Sequence, residues 1–242
     1  MKKETILKVE NLTVKDPETK KILLKNINFS VKKNSIHLLL GKNGSGKTTL
    51  ALAIFGLKNF LIEGKIYFQG KLLNNLLPEK RAKLGLGMVF QNLCFFEGIT
   101  LKEYFSIFKK SEKEILKAMK LVGLPSNFLE RTLDAKLSAG ERKKIEIVSV
   151  ILQKPKLIIL DEAEAGLDLP SYWAFLDLVL KIKEKTKATI IFITHRTSAW
   201  KISQEATLID NGKIIYSGKV KEAIKKYFEL QKIKPTCPKL IS

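Results

Sequence analysis

Gly41-Lys42-Asn43-Gly44-Ser45-Gly46-Lys47-Thr48 fits the phosphate-loop pattern G-x-x-x-x-G-K-[ST] at every position. Its surroundings give the match its meaning. The apolar run Ile36 to Leu40 leads in as a strand, and Thr49 to Phe55 leads out in helix-forming residues. Placed between a strand and a helix, the backbone N–H groups of residues 43 to 48 can wrap an anion at the positive end of that helix. Gly41, Gly44 and Gly46 supply the backbone freedom and close approach that a wrapped phosphate needs. Lys47 is expected to reach the β- and γ-phosphates, and the Thr48 hydroxyl to be a ligand to Mg²⁺. Asn43, Ser45 and Thr49 complete the expected nucleotide-contacting set on the loop. The stretch reads as a nucleoside triphosphate site.

With 242 residues, 45% hydrophobic and 28% charged, the chain is long enough for one full-sized domain. No apolar stretch approaches the roughly 20 residues that span a bilayer. Met1-Lys2-Lys3-Glu4 is followed by a strand pattern rather than a signal-peptide apolar core. A cytoplasmic location is therefore expected, with membrane association only through a partner. Cys94 and Cys237 are the two cysteines, which suits a reducing compartment and is too few for a cluster or zinc site within this chain. Cys94 is expected to pack as a small apolar residue, and Cys237 to lie exposed in a Pro-flanked tail. The net charge of +20 raises nucleic acid as a partner. Yet the lysines are scattered along the chain, without the aromatic-basic interleaving of single-strand binders, so no nucleic acid is expected.

The expected fold class is α/β, a P-loop NTPase (RecA-like) core with an N-terminal antiparallel β-subdomain and an inserted α-helical subdomain. Ile6 to Val14 and Ile22 to Val31 read as a strand pair around the turn Asp16-Pro17-Glu18-Thr19. A short strand starts at Gly64, a short basic helix opens at Pro78, and Gly87 to Phe90 is a buried strand. Leu101, Tyr104, Phe105, Phe108 and then Ile115, Leu116, Met119 and Val122 sit at helical spacing. They place the helical subdomain at about 92–136, inside a core at about 1–91 and 137–230. Ser138 with Glu141 reads as a capping box opening a helix to about Gln153. Leu157 to Leu160 is an apolar strand, and a long helix runs from about Pro170 to Lys187. The strand Thr189 to Ile193, a hairpin turning at Asn211-Gly212 and an amphipathic helix to about Leu230 complete one domain, with a tail over 231–242.

Asp161 and Glu162 follow the Leu157–Leu160 strand. There Asp161 can hold Mg²⁺ beside the phosphate loop, and Glu162 can orient or deprotonate an attacking water. The order of phosphate loop, Gln91, Leu137-Ser138-Ala139-Gly140-Glu141, Leu160-Asp161-Glu162, Gly166-Leu167-Asp168 and His195 resembles that of an ABC-type ATPase, over essentially residues 5 to 230. The resemblance implies that Gln91 meets the γ-phosphate and Mg²⁺ and couples them to the helical lobe. It implies that Ser138 and Gly140 contact the γ-phosphate of an ATP held by a second copy, in an ATP-dependent homodimer. Asp168 would help arrange that dimer, and His195 would hold the γ-phosphate and the water. The start of the Ser138 helix is itself an anion site with free N–H groups, and a compact domain has little use for two unless two chains share two nucleotides.

Two departures stand out. Ala139 replaces the glycine usual in that signature, and the adenine-stacking aromatic has no counterpart near Asp16-Pro17, leaving Val14 or Ile22 to pack on the base. Ala163-Glu164 stands where transporters of the family usually carry Pro-Thr. An acid there is similar to the Suf-type ATPase of iron–sulfur cluster assembly. So are His37, Phe128-Leu129-Glu130-Arg131, the basic run Arg142-Lys143-Lys144 and the pairing of Phe90-Gln91 with Glu97-Gly98-Ile99-Thr100-Leu101. Each also has a plain reading: Arg142 to Lys144 as a solvated helix face, His37 as a core histidine, Glu164 as the partner of a nearby lysine. Ala139, Leu169-Pro170-Ser171 and a coupling region without its usual proline depart from the Suf-type pattern. The resemblance implies a SufB/SufD-like scaffold as partner, the alternative being a membrane-spanning transporter subunit. Soluble family members of translation or repair normally carry two such domains.

Overall fold

Apolar and polar residues alternate along Thr5–Lys15 (β1) and Ile22–Lys32 (β2), as strands with one buried face require. In the computed structural model, which describes residues 4–90, 98–134 and 136–232, the two pair antiparallel and bury Leu7, Leu12, Leu24 and Ile27. Ile36–Leu40 (β3) is buried at every position, and Lys47–Phe55 (α1) follows the phosphate loop. Leu61–Phe68 (β4) and Lys71–Leu72 (β5) complete an antiparallel sheet of order β2-β1-β4-β5. Strand β4 begins before Gly64, where the sequence pattern started it. Gly64 has φ +89°, lies where the β1 register shifts, and a Cβ there would sit 2.4 Å from the Asn11 carbonyl oxygen. This glycine marks a bulge rather than a strand end.

Pro78–Lys83 (α2) and Leu86–Val89 (β6) lead towards the helical lobe. Leu101–Ser106 (α3) and Glu112–Leu121 (α4) both open with capping boxes, from Thr100 with Glu103 and Ser111 with Glu114. A 3₁₀ turn at Ser126–Glu130 precedes Ala139–Leu152 (α5), whose Ser138–Glu141 capping box is formed as the sequence indicates. Then come Leu157–Asp161 (β7), Leu169–Thr186 (α6), Thr189–Thr194 (β8), Glu205–Asp210 (β9), Lys213–Lys219 (β10) and Val220–Gln231 (α7). A 3₁₀ segment at Thr197–Ile202, too short for a periodic signal, was not expected.

The second sheet has the order β10-β9-β3-β8-β7-β6, parallel except for β10 at one edge. Its two faces explain the unbroken apolar runs. Leu157 and Ile159 of β7 join the core under α1 and the antiparallel sheet, while Ile158 and Leu160 join the core under α5, α6 and the helical lobe. Each such side chain contributes about 1.5–3 kcal/mol on burial. Because β3, β6, β7 and β8 are parallel, the residues that follow them emerge along one edge of the sheet. Ligands of open α/β sheets bind at that edge. Among the described residues no helix is long and apolar enough to cross a membrane. Gln91, Cys94 and Cys237 lie outside the described residues.

Candidate nucleotide site

Close contact fixes the phosphate loop. A Cβ on Gly41 would lie 2.3 Å from the Ile209 carbonyl oxygen, and one on Gly46, which caps α1 at φ +108°, would lie 2.6 Å from Leu24. The β9–β10 turn backs the loop, with the Gly212 N–H donating to the Ser45 carbonyl at 2.9 Å. Ser45 is buried, and its Oγ has no hydrogen-bond partner among the described residues. An orphaned buried hydroxyl costs about 1–3 kcal/mol, so this loop fits an anion that accepts from it. Asn43, Gly44, Gly46, Lys47, Thr48 and Thr49 line a cavity of about 360 Å³ together with Leu23 and Glu162. Leu23 carried no sequence signal of its own.

Lys47 is buried, and its Nζ donates to the Gly41 and Lys42 carbonyls, each at 3.0 Å. The same Nζ is 3.5 Å from Glu162 Oε1. The Thr48 hydroxyl donates to Asp161 Oδ1 at 3.2 Å. Asp161 is buried, and that burial raises its pKa, offset by the Thr48 bond and reinforced by the neighbouring Glu162 charge. A carboxylate whose charge is opposed by burial favours a bound cation. Asp161 and Thr48 thus fit Mg²⁺, which takes oxygen ligands and needs only one or two carboxylates when phosphates and water supply the rest. Among the described residues no group of three or more His, Cys, Asp or Glu is placed to hold a metal ion by itself.

Glu162 directly follows β7 in the left-handed region at φ 44°, its N–H donating to the Ile193 carbonyl of β8 at 3.1 Å. This sharp turn sends its carboxylate along the sheet edge. Its Oε1 lies 4.0 Å from Nδ1 of His195, which directly follows β8 and is half-exposed. One carboxylate oxygen therefore stands between a lysine and a histidine.

Ser138 and Gly140 are elsewhere. They line a second cavity, of about 520 Å³, beside α4 and α6, and neither lines the phosphate-loop cavity. The capping box uses the Ser138 N–H, at 2.7 Å to Glu141, and the Glu141 N–H, at 3.2 Å to Ser138 Oγ. The helix start therefore offers fewer free N–H groups than its sequence suggested, chiefly those of Ala139 and Gly140. Asp168 is exposed and caps α6 by accepting from the Ser171 N–H at 2.9 Å. Its hydrogen bonding to Ser171 holds the Asp168 pKa below the ordinary value.

A family model for the ABC transporter matches residues 24–165. The chain belongs to this ABC family. It is 36% identical over 228 residues to an uncharacterized ABC transporter ATP-binding protein of Methanocaldococcus jannaschii, covering 90% of each chain. It is 32% identical over 242 residues to the "probable ATP-dependent transporter ycf16" of Cyanidium caldarium, covering 93% of this chain and 94% of that protein. The ADP conformation of an ABC transporter's ATP-binding cassette superposes with a TM-score of 0.80 at 28% identity, over 95% of this chain and 97% of that one. As an ABC-type ATP-binding domain, the chain binds ATP with Mg²⁺ and hydrolyses it to ADP and phosphate.

Several secondary readings change within this ABC domain. Arg142, Lys143 and Lys144 are half-buried rather than a fully solvated face. They donate to the backbone carbonyls of Leu137 at 2.8 Å, of Phe90, and of Gly123 at 3.3 Å. Among the described residues Glu164 meets no lysine; it is buried and accepts from the Thr194 hydroxyl, and burial raises its pKa. His37 is a core residue, its Nε2 2.9 Å from Thr207 Oγ1. Val14 is fully buried in the core, so it cannot face a base, whereas Ile22, 46% exposed, can. Glu146, which carried no functional signal in the sequence, accepts from the Phe90 N–H at 2.6 Å and pairs with Lys143 at 3.0 Å. It anchors the residue immediately before Gln91.

Proposed function

We propose that this ATPase works as a pair, each copy closing its α5 start over the ATP held by the phosphate loop of the other. The reading is supported by the separation of Ser138 and Gly140 from the phosphate-loop cavity within one chain. The isolated chain is then a monomer of slow turnover. In this reading Lys47, Thr48 and the N–H groups of residues 43 to 48, Asn43 included, hold the triphosphate, with Thr49 and Gln91 beside it. Thr48, Asp161 and Gln91 would hold Mg²⁺, which when bound would supply charge neutralisation at the phosphates. Glu162 orients the attacking water and accepts its proton, and His195 steadies the γ-phosphate. Lys47 offsets developing negative charge from its fixed place. Asp168 sits at the seam between copies.

The stroke moves a partner, which on this reading is a SufB/SufD-like scaffold in the cytoplasm. Its support is Glu164, an acid buried against Thr194 at the position that resembles the Suf-type pattern. The cluster ligands would lie on the scaffold. The transporter reading is favoured by the names that the two relatives carry and would dock the chain on a membrane-spanning subunit. A tagged pull-down from cytosolic and membrane fractions decides between them. A β-rich scaffold recovered from the cytosol supports cluster assembly, and an integral membrane protein overturns it.

A further inference from the structure

We propose that Arg196 is a positioning residue that locks the segment carrying His195 to the Gly166–Asp168 turn, so that the two shift together as copies pair. The inference rests on the roles assigned above to His195 and Asp168. One contact reaches the turn itself, at Leu167, and three reach its flanks, Glu164 before it and Tyr172 of α6 after it. The Arg196 Nη2 donates to the Leu167 carbonyl at 2.9 Å, and its guanidinium carbon lies 4.5 Å from the centre of the Tyr172 ring. The Thr194 hydroxyl donates to Glu164, and Ser198 Oγ donates to the Tyr172 hydroxyl at 3.3 Å.

The geometry gives each contact a consequence. Leu167 immediately precedes Asp168, so its carbonyl shares a peptide plane with the Asp168 N–H. Holding that carbonyl orients the turn, and Asp168 in turn caps α6. On the other side, the Arg196 N–H donates to Thr194 Oγ1 at 2.9 Å, which brackets His195 between two tethered neighbours. Arginine suits this place because its planar fork can stack on the ring and donate sideways at once. A lysine could keep charge near the ring but has no planar group to stack while donating. The contacts join backbone and side chains that would otherwise move as separate loops at the ends of β7 and β8.

The test compares Arg196→Met and Arg196→Lys with the parent chain and with Glu162→Gln. ATP turnover is read as kcat and KM against protein concentration, with a melting curve for each variant. Arg196→Met is expected to lose about tenfold or more in kcat. Its KM should stay near the parent value, and its turnover should need a higher protein concentration. Arg196→Lys should fall between the two. If Arg196→Met does not fold, the Lys variant alone carries the test through its kcat. Turnover per folded molecule equal to the parent in the variants that fold overturns the lock. In that case stalled turnover in Glu162→Gln leaves the site reading standing, whereas full turnover there removes the site reading as well.

Discussion

Lys47 Nζ and Glu162 Oε1 lie 3.5 Å apart, joining the helix after the phosphate loop to the end of strand β7. Both side chains are largely withdrawn from solvent, so the contact is a local electrostatic balance rather than a surface ion pair. The same carboxylate oxygen approaches His195 at 4.0 Å. Substitutions here should separate binding from chemistry.

Glu162→Gln keeps the shape of the side chain and removes its proton-accepting charge. Turnover is expected to fall about 10²-fold or more, with ATP still bound. Single-turnover hydrolysis and fluorescent-nucleotide titration measure the two separately. Turnover at the parent rate would remove Glu162 as the group acting on water.

Lys47→Ala removes the buried cation beneath the cavity and leaves the Gly41 and Lys42 carbonyls without their shared donor. Nucleotide affinity should drop by at least tenfold on the scale of charge-assisted hydrogen bonds, about 1.5–3 kcal/mol. Unchanged affinity in a calorimetric titration would contradict the phosphate role.

Asp161→Asn should weaken Mg²⁺ dependence more than nucleotide binding, because the amide keeps the Thr48 bond but not the charge. The measurement is the Mg²⁺ concentration at half-maximal turnover, expected to rise by about tenfold. A midpoint that does not move would place the cation elsewhere.

His37 supplies a pH test of the fold. Burial lowers its pKa to about 4 from an ordinary 6.5, with Glu205 raising it and Lys32 lowering it. The unfolded chain takes up this proton below about 6.5 and the folded chain only near 4. Stability from this group is therefore full above 6.5 and lost as pH falls towards 4, by about 3 kcal/mol in all. Burial raises the pKa of Glu146, Asp161 and Glu164, so these groups act in the opposite sense. Only the difference between the parent and His37→Gln isolates the histidine. Urea unfolding at pH 7 and pH 5 should show a smaller loss in the variant; equal losses would contradict the assignment.

The strands around the phosphate loop were legible because burial on both faces leaves mostly apolar residues, and the capping boxes because their spacing is local. The β4 start was misread because Gly64 serves a bulge contact with Asn11, a neighbour distant in sequence. Asp161 and Glu162 could be placed beside Lys47 because parallel strands end at one edge. The partners of Glu164, Arg142 to Lys144 and Arg196 could not be read. Apart from the local Arg142–Leu137 bond, each depends on which carbonyl or hydroxyl a separate part of the chain presents, and no spacing within one segment encodes that.

Pairing on ATP is the central claim, and light scattering of the Glu162→Gln chain with ATP and Mg²⁺ tests it most directly, with the partner supplied if the chain alone stays single. The account predicts a shift from one copy to two with ATP, and none when Ser138→Arg blocks the α5 start. A single copy at saturating ATP with the partner present, in a variant that binds nucleotide and cannot turn it over, would contradict it.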